Sequence, residues 1–384
     1  MTSRFSVSHG TVYRDPFFYA SFPSIAALPD GAALVAFRRA RDHRWLRGEE
    51  YRRTETGLKH VDHLDSRSQI VLLRLDREGR AAGDPLTLPP DPQAADQDPS
   101  LLVLRDGRVL LTGFCWYPLP AKEGEALRAL GAAVVGSPQQ TGDIYLFWGA
   151  YARWSDDGGR SWSPHRFLPP LPGHGDVVPG MRRMLGGALR GRAVELPDGT
   201  ILQATYTFHP GNGRYASHLY ASADRGESWE YRSLIAIDGE KMAGFCESAL
   251  ALAADGRLIA FHRTTGLDDR LATSVSRDGG HSWEPWRVQP VIGHPFDACP
   301  LPDGRLLVVG GYRHEPFGVR ARLWDPARGE IGDAPEIILR DDAASADVGY
   351  PWAAALPDGR VMAVYYMCDA DGVRHVAGTV LTLG

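Results

Sequence analysis

The sequence predicts an all-β chain folded as a six-bladed β-propeller. Two internal repeats and the composition predict it. The first repeat reads apolar-x-D-G followed by a mostly apolar strand. It occurs six times: LPDGAALVAF from Leu28, LRDGRVLLTGF from Leu104, LPDGTILQATY from Leu196, AADGRLIAFH from Ala253, LPDGRLLVVGGY from Leu301 and LPDGRVMAVYY from Leu356. Each copy has the form strand, D-G hairpin, strand. The turn aspartates Asp30, Asp106, Asp198, Asp255, Asp303 and Asp358 are 76, 92, 57, 48 and 55 residues apart. That leaves room for four short strands per copy, the size of a propeller blade. The second repeat, S-x-D-x-G-x-x-W, occurs as SDDGGRSW (Ser155–Trp162), SADRGESW (Ser222–Trp229) and SRDGGHSW (Ser276–Trp283). The 43 Gly, 28 Pro and 10 Trp among 384 residues suit many short strands joined by tight turns.

The eight-residue repeat has the chemistry of a turn. Gly159, Gly226 and Gly280 supply the backbone freedom a tight turn needs. Asp157, Asp224 and Asp278 can accept from nearby backbone N–H groups. Trp162, Trp229 and Trp283 give each turn an apolar group to bury. The wide spacings of the first repeat mark insertions near 39–65, polar and charged, and near 121–140, where EGEALRALGAAVV predicts a short helix. No linker or low-complexity break divides residues 1–384, so one propeller domain is expected. Radial closure leaves few exposed sheet edges.

Composition excludes several classes. A net charge of −5 gives no pull toward nucleic acid or an anionic membrane. No stretch is long and apolar enough to span a bilayer. Met1 to Gly10 lacks the apolar run of a signal peptide, so the expected location is the cytoplasm. Cys115, Cys246, Cys299 and Cys368 show no paired spacing and are expected as buried thiols. HVDHLD (His60–Asp65) has two histidines three apart, but no third ligand is obviously placed; a solvated loop is the expectation, and no metal. No Walker loop, Rossmann fingerprint or nucleophile elbow is present, so no cofactor is expected.

In a propeller the innermost strand of each blade borders the central channel. The segments at a similar distance before each D-G turn are unusually polar: YASFPSI (Tyr19–Ile25), ADQDPSL (Ala95–Leu101), LRGRAVE (Leu189–Glu195), GFCESAL (Gly244–Leu250), GHPFDAC (Gly293–Cys299) and ADVGYPW (Ala346–Trp352). Polar groups at equivalent blade positions converge on one mouth, as a ligand pocket requires. His262, His314, His294, Trp45, Trp116, Tyr117 and Trp352 could also line it, although most propeller tryptophans are packing.

The S-x-D-x-G-x-x-W repeat resembles the Asp-box of the sialidase-type β-propellers, where it is a structural turn remote from the active site. The resemblance extends to the polar segments. It implies Glu247, followed by Arg263 across the D-G hairpin, as the family's glutamate–arginine pair. It implies Tyr350, in Gly349-Tyr350-Pro351, as the nucleophile. Arg320, or Arg322, matches the last arginine, Asp65 the acid/base aspartate, with Asp62 and Asp98 as the other choices, and Arg41 the arginine after the first inner strand. Where the family has an arginine on that strand, this chain has Ser21, with Arg38 or Arg190 as possible substitutes. A tyrosine nucleophile suits an anomeric centre next to a carboxylate, which would repel an anionic nucleophile. Glu247 would take its proton, and Arg263 and Arg320 would bind a substrate carboxylate.

The function implied is an exo-acting glycoside hydrolase cleaving a terminal acidic sugar from a glycan. Two other readings stay open. One is a carbohydrate-active propeller of another kind, such as an exo-arabinanase-like enzyme pairing Glu247 with Asp98 or Asp297, or a uronate-directed lyase. The other is a glycan-binding propeller without catalysis. A carboxyl separation of about 5–9 Å would favour two carboxylates, and a Tyr–Glu contact the tyrosine mechanism.

Overall fold

Each D-G turn closes in the same way. The turn glycines take φ between 85° and 91°, the left-handed region that a Cβ disfavours. Their N–H groups donate to the carbonyl three residues back at 2.9–3.0 Å. Each turn aspartate accepts from the N–H two residues on, at 2.9–3.1 Å. Six local, self-satisfied turns thus start six antiparallel hairpins.

The structure, a computed structural model, describes residues 5–54, 65, 67–130, 132, 134–135, 143–173, 186–209 and 213–383. Among these residues the hairpins grow into six antiparallel sheets, the blades of a six-bladed β-propeller. Their inner strands are Phe18–Ala27, Ala95–Val103, Val194–Glu195, Gly244–Leu252, Phe296–Pro300 and Gly349–Ala355. Blades 1 to 5 run outward in chain order. Blade 6 takes its outermost strand, Ser6–Tyr13, from the start of the chain, paired to Arg374–Thr382. The ring is closed by backbone hydrogen bonds between sequence-distant strands. The expected helix in the second insertion is Gly124–Ala129, with Leu127 buried. The first insertion carries the short helix Glu49–Thr54, and Asp62 lies outside the described residues.

The core is a set of apolar wedges between neighbouring blades, such as Ile25, Val35 and Phe37 of blade 1 against Trp352, Met362 and Val364 of blade 6. The Asp-box turns join the third and fourth strands of blades 2, 3 and 4 and clip each blade to the one before. In the second box Ser222 Oγ accepts from Gly226 N at 2.9 Å, Asp224 accepts from Ser228 N at 2.8 Å, and Trp229 Nε1 donates to Gly226 O at 3.1 Å. A Cβ on Gly226 would lie 2.5 Å from Leu110 of blade 2. The four cysteines are free and buried. No helix among the described residues is long and apolar enough to cross a membrane.

Candidate active site

The site is built by one backbone device used four times. In blades 1, 2, 4 and 6 the pairing of the inner strand with its neighbour slips, between Ser21 and Ser24, Gln97 and Ser100, Cys246 and Ala249, and Gly349 and Trp352. Each bulge holds one non-glycine residue at positive φ: Phe22 (54°), Asp98 (45°), Glu247 (44°) and Tyr350 (51°). A bulge re-aims a side chain out of the normal alternation. Left-handed backbone at bulky residues costs about 1–3 kcal/mol each and persists where the surroundings over-determine it. All four residues stand eight positions before their turn aspartate, as does Arg190 in blade 3.

Two of these residues meet. Tyr350 Oη donates to Glu247 Oε1 at 2.6 Å, Arg263 donates to Glu247 Oε2 at 2.7 Å, and Arg263 also donates to Tyr350 Oη at 2.9 Å. Tyr350 and Glu247 are 4% and 5% exposed. Burial pushes the Tyr350 phenol well above its ordinary range; the Glu247 charge adds to this and Arg263 opposes it. The phenol is therefore protonated at rest and aimed at its base. Arg263 Nε is buried and has no hydrogen-bond partner among the described residues.

Around this triad, Phe22 packs on Tyr350 with ring centroids 4.5 Å apart, and Tyr366 lies 6.0 Å away. Arg313 stacks on Tyr350, 5.6 Å from its ring centroid, and donates to Tyr366 Oη at 3.0 Å and Val348 O at 3.0 Å. Tyr366 in turn donates to the fully buried Asp347 at 2.8 Å, which Arg374 also binds at 2.9 Å. Asp98 is 5% exposed, and its carboxyl is pushed up to about 7, by burial first; Arg190 opposes this and Glu247 adds to it.

Other expected residues lie elsewhere. Arg320 sits on the third strand of blade 5, two strands out from the channel. Its guanidinium donates to Arg340 O and to Pro316 O at 3.0 Å and stacks on Tyr312. Arg313, just after the second strand of that blade, is the blade 5 arginine that lies over Tyr350; Arg322 also faces outward, on Ala334 O and Glu336. Arg41 is exposed and stacks on Phe18. Arg190 is a hub of backbone contacts. It donates to the carbonyls of Phe22, Pro23, Pro99 and Tyr350 at 2.9–3.3 Å, tying blades 1, 2 and 6 to blade 3. Asp297 is likewise structural, held by Arg192 at 2.7–2.8 Å and by Ala353 N at 2.8 Å. Arg38 pairs directly across from Ser21 and is fully buried beside Tyr19 and Phe22. The charge absent at Ser21 thus stands on the neighbouring strand, covered by aromatic rings. Asp65 Oδ1 accepts from Arg67 N at 2.5 Å, and its Oδ2, 3.7 Å from His43 Nε2, is buried without a hydrogen bond among the described residues. Trp116 stacks on Phe147, and Trp352 lies between Arg190 and Arg192, so both are packing.

Sequence reasoning missed Arg313, Tyr366 and Phe22. A signal was present for the last two. Phe22 holds the position eight before its turn aspartate, while Arg38, Arg263 and Tyr366 hold the position eight after.

The fold and this tyrosine–glutamate–arginine centre define a class: a six-bladed propeller with a polar site on its inner strands. Residues 115–363 match the family model of the BNR repeat-like domain, and the chain belongs to that family, within the sialidase superfamily of propellers. It is 24% identical over 247 residues to a sialidase of Micromonospora viridifaciens, covering 60% of this chain and 35% of that protein; it therefore spans about a third of that relative's length. Among solved structures, a protein of unknown function from Dyadobacter fermentans superposes with a TM-score of 0.86 at 31% identity, covering 98% of this chain and 99% of the other. NanB sialidase from Streptococcus pneumoniae superposes with a TM-score of 0.63 at 14% identity, covering 97% of this chain and 70% of the other; that likeness is one of fold.

Proposed function

We propose that this chain is an exo-acting glycoside hydrolase that removes a terminal acidic sugar from a glycan, with Tyr350 as nucleophile and Glu247 as its base. The observation that carries the reading is the 2.6 Å contact between Tyr350 Oη and Glu247 Oε1. A free phenol is a poor nucleophile at neutral pH, since its ordinary pKa is about 10. A buried carboxylate at hydrogen-bond distance removes the proton as attack proceeds. Arg263 donates to both oxygens and stabilises the phenolate as it forms. A neutral nucleophile approaches an anomeric carbon beside a carboxylate without charge repulsion. Arg263 and Arg313 supply the positive charge for that carboxylate. A two-carboxylate enzyme built on Glu247 and Asp297 lacks support, because Arg192 and Ala353 N already engage Asp297.

The test is hydrolysis of fluorogenic sialosides, uronides and arabinosides by the wild type and Tyr350→Phe. Activity is expected on an acidic sugar, with kcat lowered by at least ~10³-fold in the variant and thermal stability kept. A variant that retains activity would remove Tyr350 from the chemistry. Binding without turnover on every sugar would make the protein a glycan-binding propeller.

A further inference from the structure

Blade 2 holds a cluster of side chains that the tyrosine–glutamate–arginine centre does not use. Asp96 Oδ1 lies 3.2 Å from Cys115 Sγ and 3.1 Å from His165 Nε2. One donor atom from each of the three falls within 4.8 Å of the other two. Asp96 is on the inner strand, Cys115 pairs with it on the second strand, and His165 stands just before the outermost strand, Arg166–Phe167. Cys115 and His165 are 19 and 69 residues from Asp96, so no short spacing along the chain marks the group. Asp96 is fully buried, yet its Oδ2 has no hydrogen-bond partner among the described residues. The Tyr151 hydroxyl is a second buried atom in that condition, and the Tyr151 ring meets the His165 ring with centroids 4.3 Å apart. Buried polar atoms are nearly always bonded, and two that are not, at one cluster of metal-binding side chains, point to an ion.

We propose that Asp96, Cys115 and His165 bind one divalent ion of the zinc class. A thiolate, an imidazole and a carboxylate form a donor set that zinc accepts, whereas magnesium and calcium take oxygen ligands. Donors about 2.0–2.3 Å from a tetrahedral ion lie roughly 3.3–3.8 Å from one another. The two closest contacts therefore need to open by only a few tenths of an ångström. The charges balance as well. The ion replaces the thiol proton, which leaves to water, and the Cys115 thiolate and Asp96 carboxylate together cancel its two charges. A buried ion neutralised in this way needs no further counter-ion. Arg153 of the same blade does not compete for the carboxylate, since its guanidinium donates to Ser163 O at 2.8 Å and Pro89 O at 3.0 Å. The His165 side chain is 11% exposed and that of Asp96 fully buried, so the ion enters past the imidazole. Three protein donors leave the fourth position to water. Bound there, the ion ties the inner, second and outermost strands of blade 2 together, two residues before the bulge at Asp98. Its role is to hold the blade, and no step of the sugar chemistry runs through it.

The test strips the full chain with EDTA and titrates it with Co²⁺, whose thiolate charge-transfer band reports a cobalt–sulfur bond, and then with Zn²⁺. The band is expected to saturate at one equivalent and to disappear as zinc displaces cobalt. Zinc at about 100 times its Kd should raise Tm by about 2–6 °C. Cys115→Ser should abolish the band, and Cys246→Ser, at a buried thiol of blade 4, should keep it. His165→Ala, at the rim of the cluster, should weaken zinc binding by about 100-fold or more while the metal-free variant still unfolds cooperatively. A wild type that takes up neither cobalt nor zinc would overturn the site. So would a band that survives in Cys115→Ser or is lost in Cys246→Ser, or zinc affinity unchanged in His165→Ala. None of these readouts depends on Tyr350 being the nucleophile.

Discussion

The two ends of the inner strands are both built by repetition, and they differ in where their polar groups find partners. At one end, six D-G turns satisfy their side chains within a few residues, as do the three Asp-boxes between the outer strands of blades 2, 3 and 4: Asp157, Asp224 and Asp278 accept from serines four residues on. These hydrogen bonds hold the Asp-box carboxyls well below the ordinary range at Asp157 and Asp278. At the other end, four bulges hold strained residues whose partners lie on other blades or are lacking. Glu247 meets Tyr350 across 103 positions, and Asp98 meets no bonding partner among the described residues. Self-satisfied repetition builds the scaffold. Repetition that leaves its side chains to be satisfied from elsewhere builds the site.

Four substitutions sharpen that contrast. The largest expected effect is at the Asp297–Arg192 ion pair. Asp297→Ala leaves Arg192 buried without its charge partner, and breaking such a pair costs about 3–5 kcal/mol. Urea denaturation should show this as a lowered midpoint, and an unchanged midpoint would move Asp297 out of the scaffold. Next comes the carboxylate anchor. Losing a hydrogen bond to a charged group costs about 1.5–3 kcal/mol, so Arg313→Leu should raise KM for the acidic substrate by about 10–100-fold, whereas Arg320→Leu should stay within about 2-fold. Steady-state kinetics of both decide between the two arginines, and the reverse ranking would return Arg320 to the site. The smallest effect belongs to the turn end. Gly226→Ala strains a φ of 88° and presses a Cβ on Leu110, which should destabilise by about 1–3 kcal/mol. At 25 °C kcat should not change, and a selective loss of activity would mean that the two ends are coupled.

Where sequence reasoning succeeded, the signal was local or periodic. The D-G turns were legible because aspartate and glycine carry the turn within four residues. Glu247, Asp98 and Tyr350 were legible because each stands at a fixed distance from such a turn. That Arg320 stands away from Tyr350 and Glu247 has a structural cause. Blade 5 lacks the bulge; its inner strand pairs without a shift from Phe296 to Pro300. The position eight after its turn is Gly311, where a Cβ would meet Gly349 Cα at 2.8 Å, so the guanidinium reaches the site from two residues further on, at Arg313.

The sequence by itself determined the number of blades, the turns that start them, and which residue types stand at the positions facing the channel. These come from short-range hydrogen bonding and from a repeat that can be counted along the chain. Only the closed ring decided which of those residues touch. Whether an arginine ends on backbone or on side chains depends on what other blades bring to it: Arg190 is surrounded by four carbonyls, whereas Arg263 reaches the side chains of Glu247 and Tyr350. That distinction arises from packing between segments more than a hundred residues apart, which no local pattern encodes.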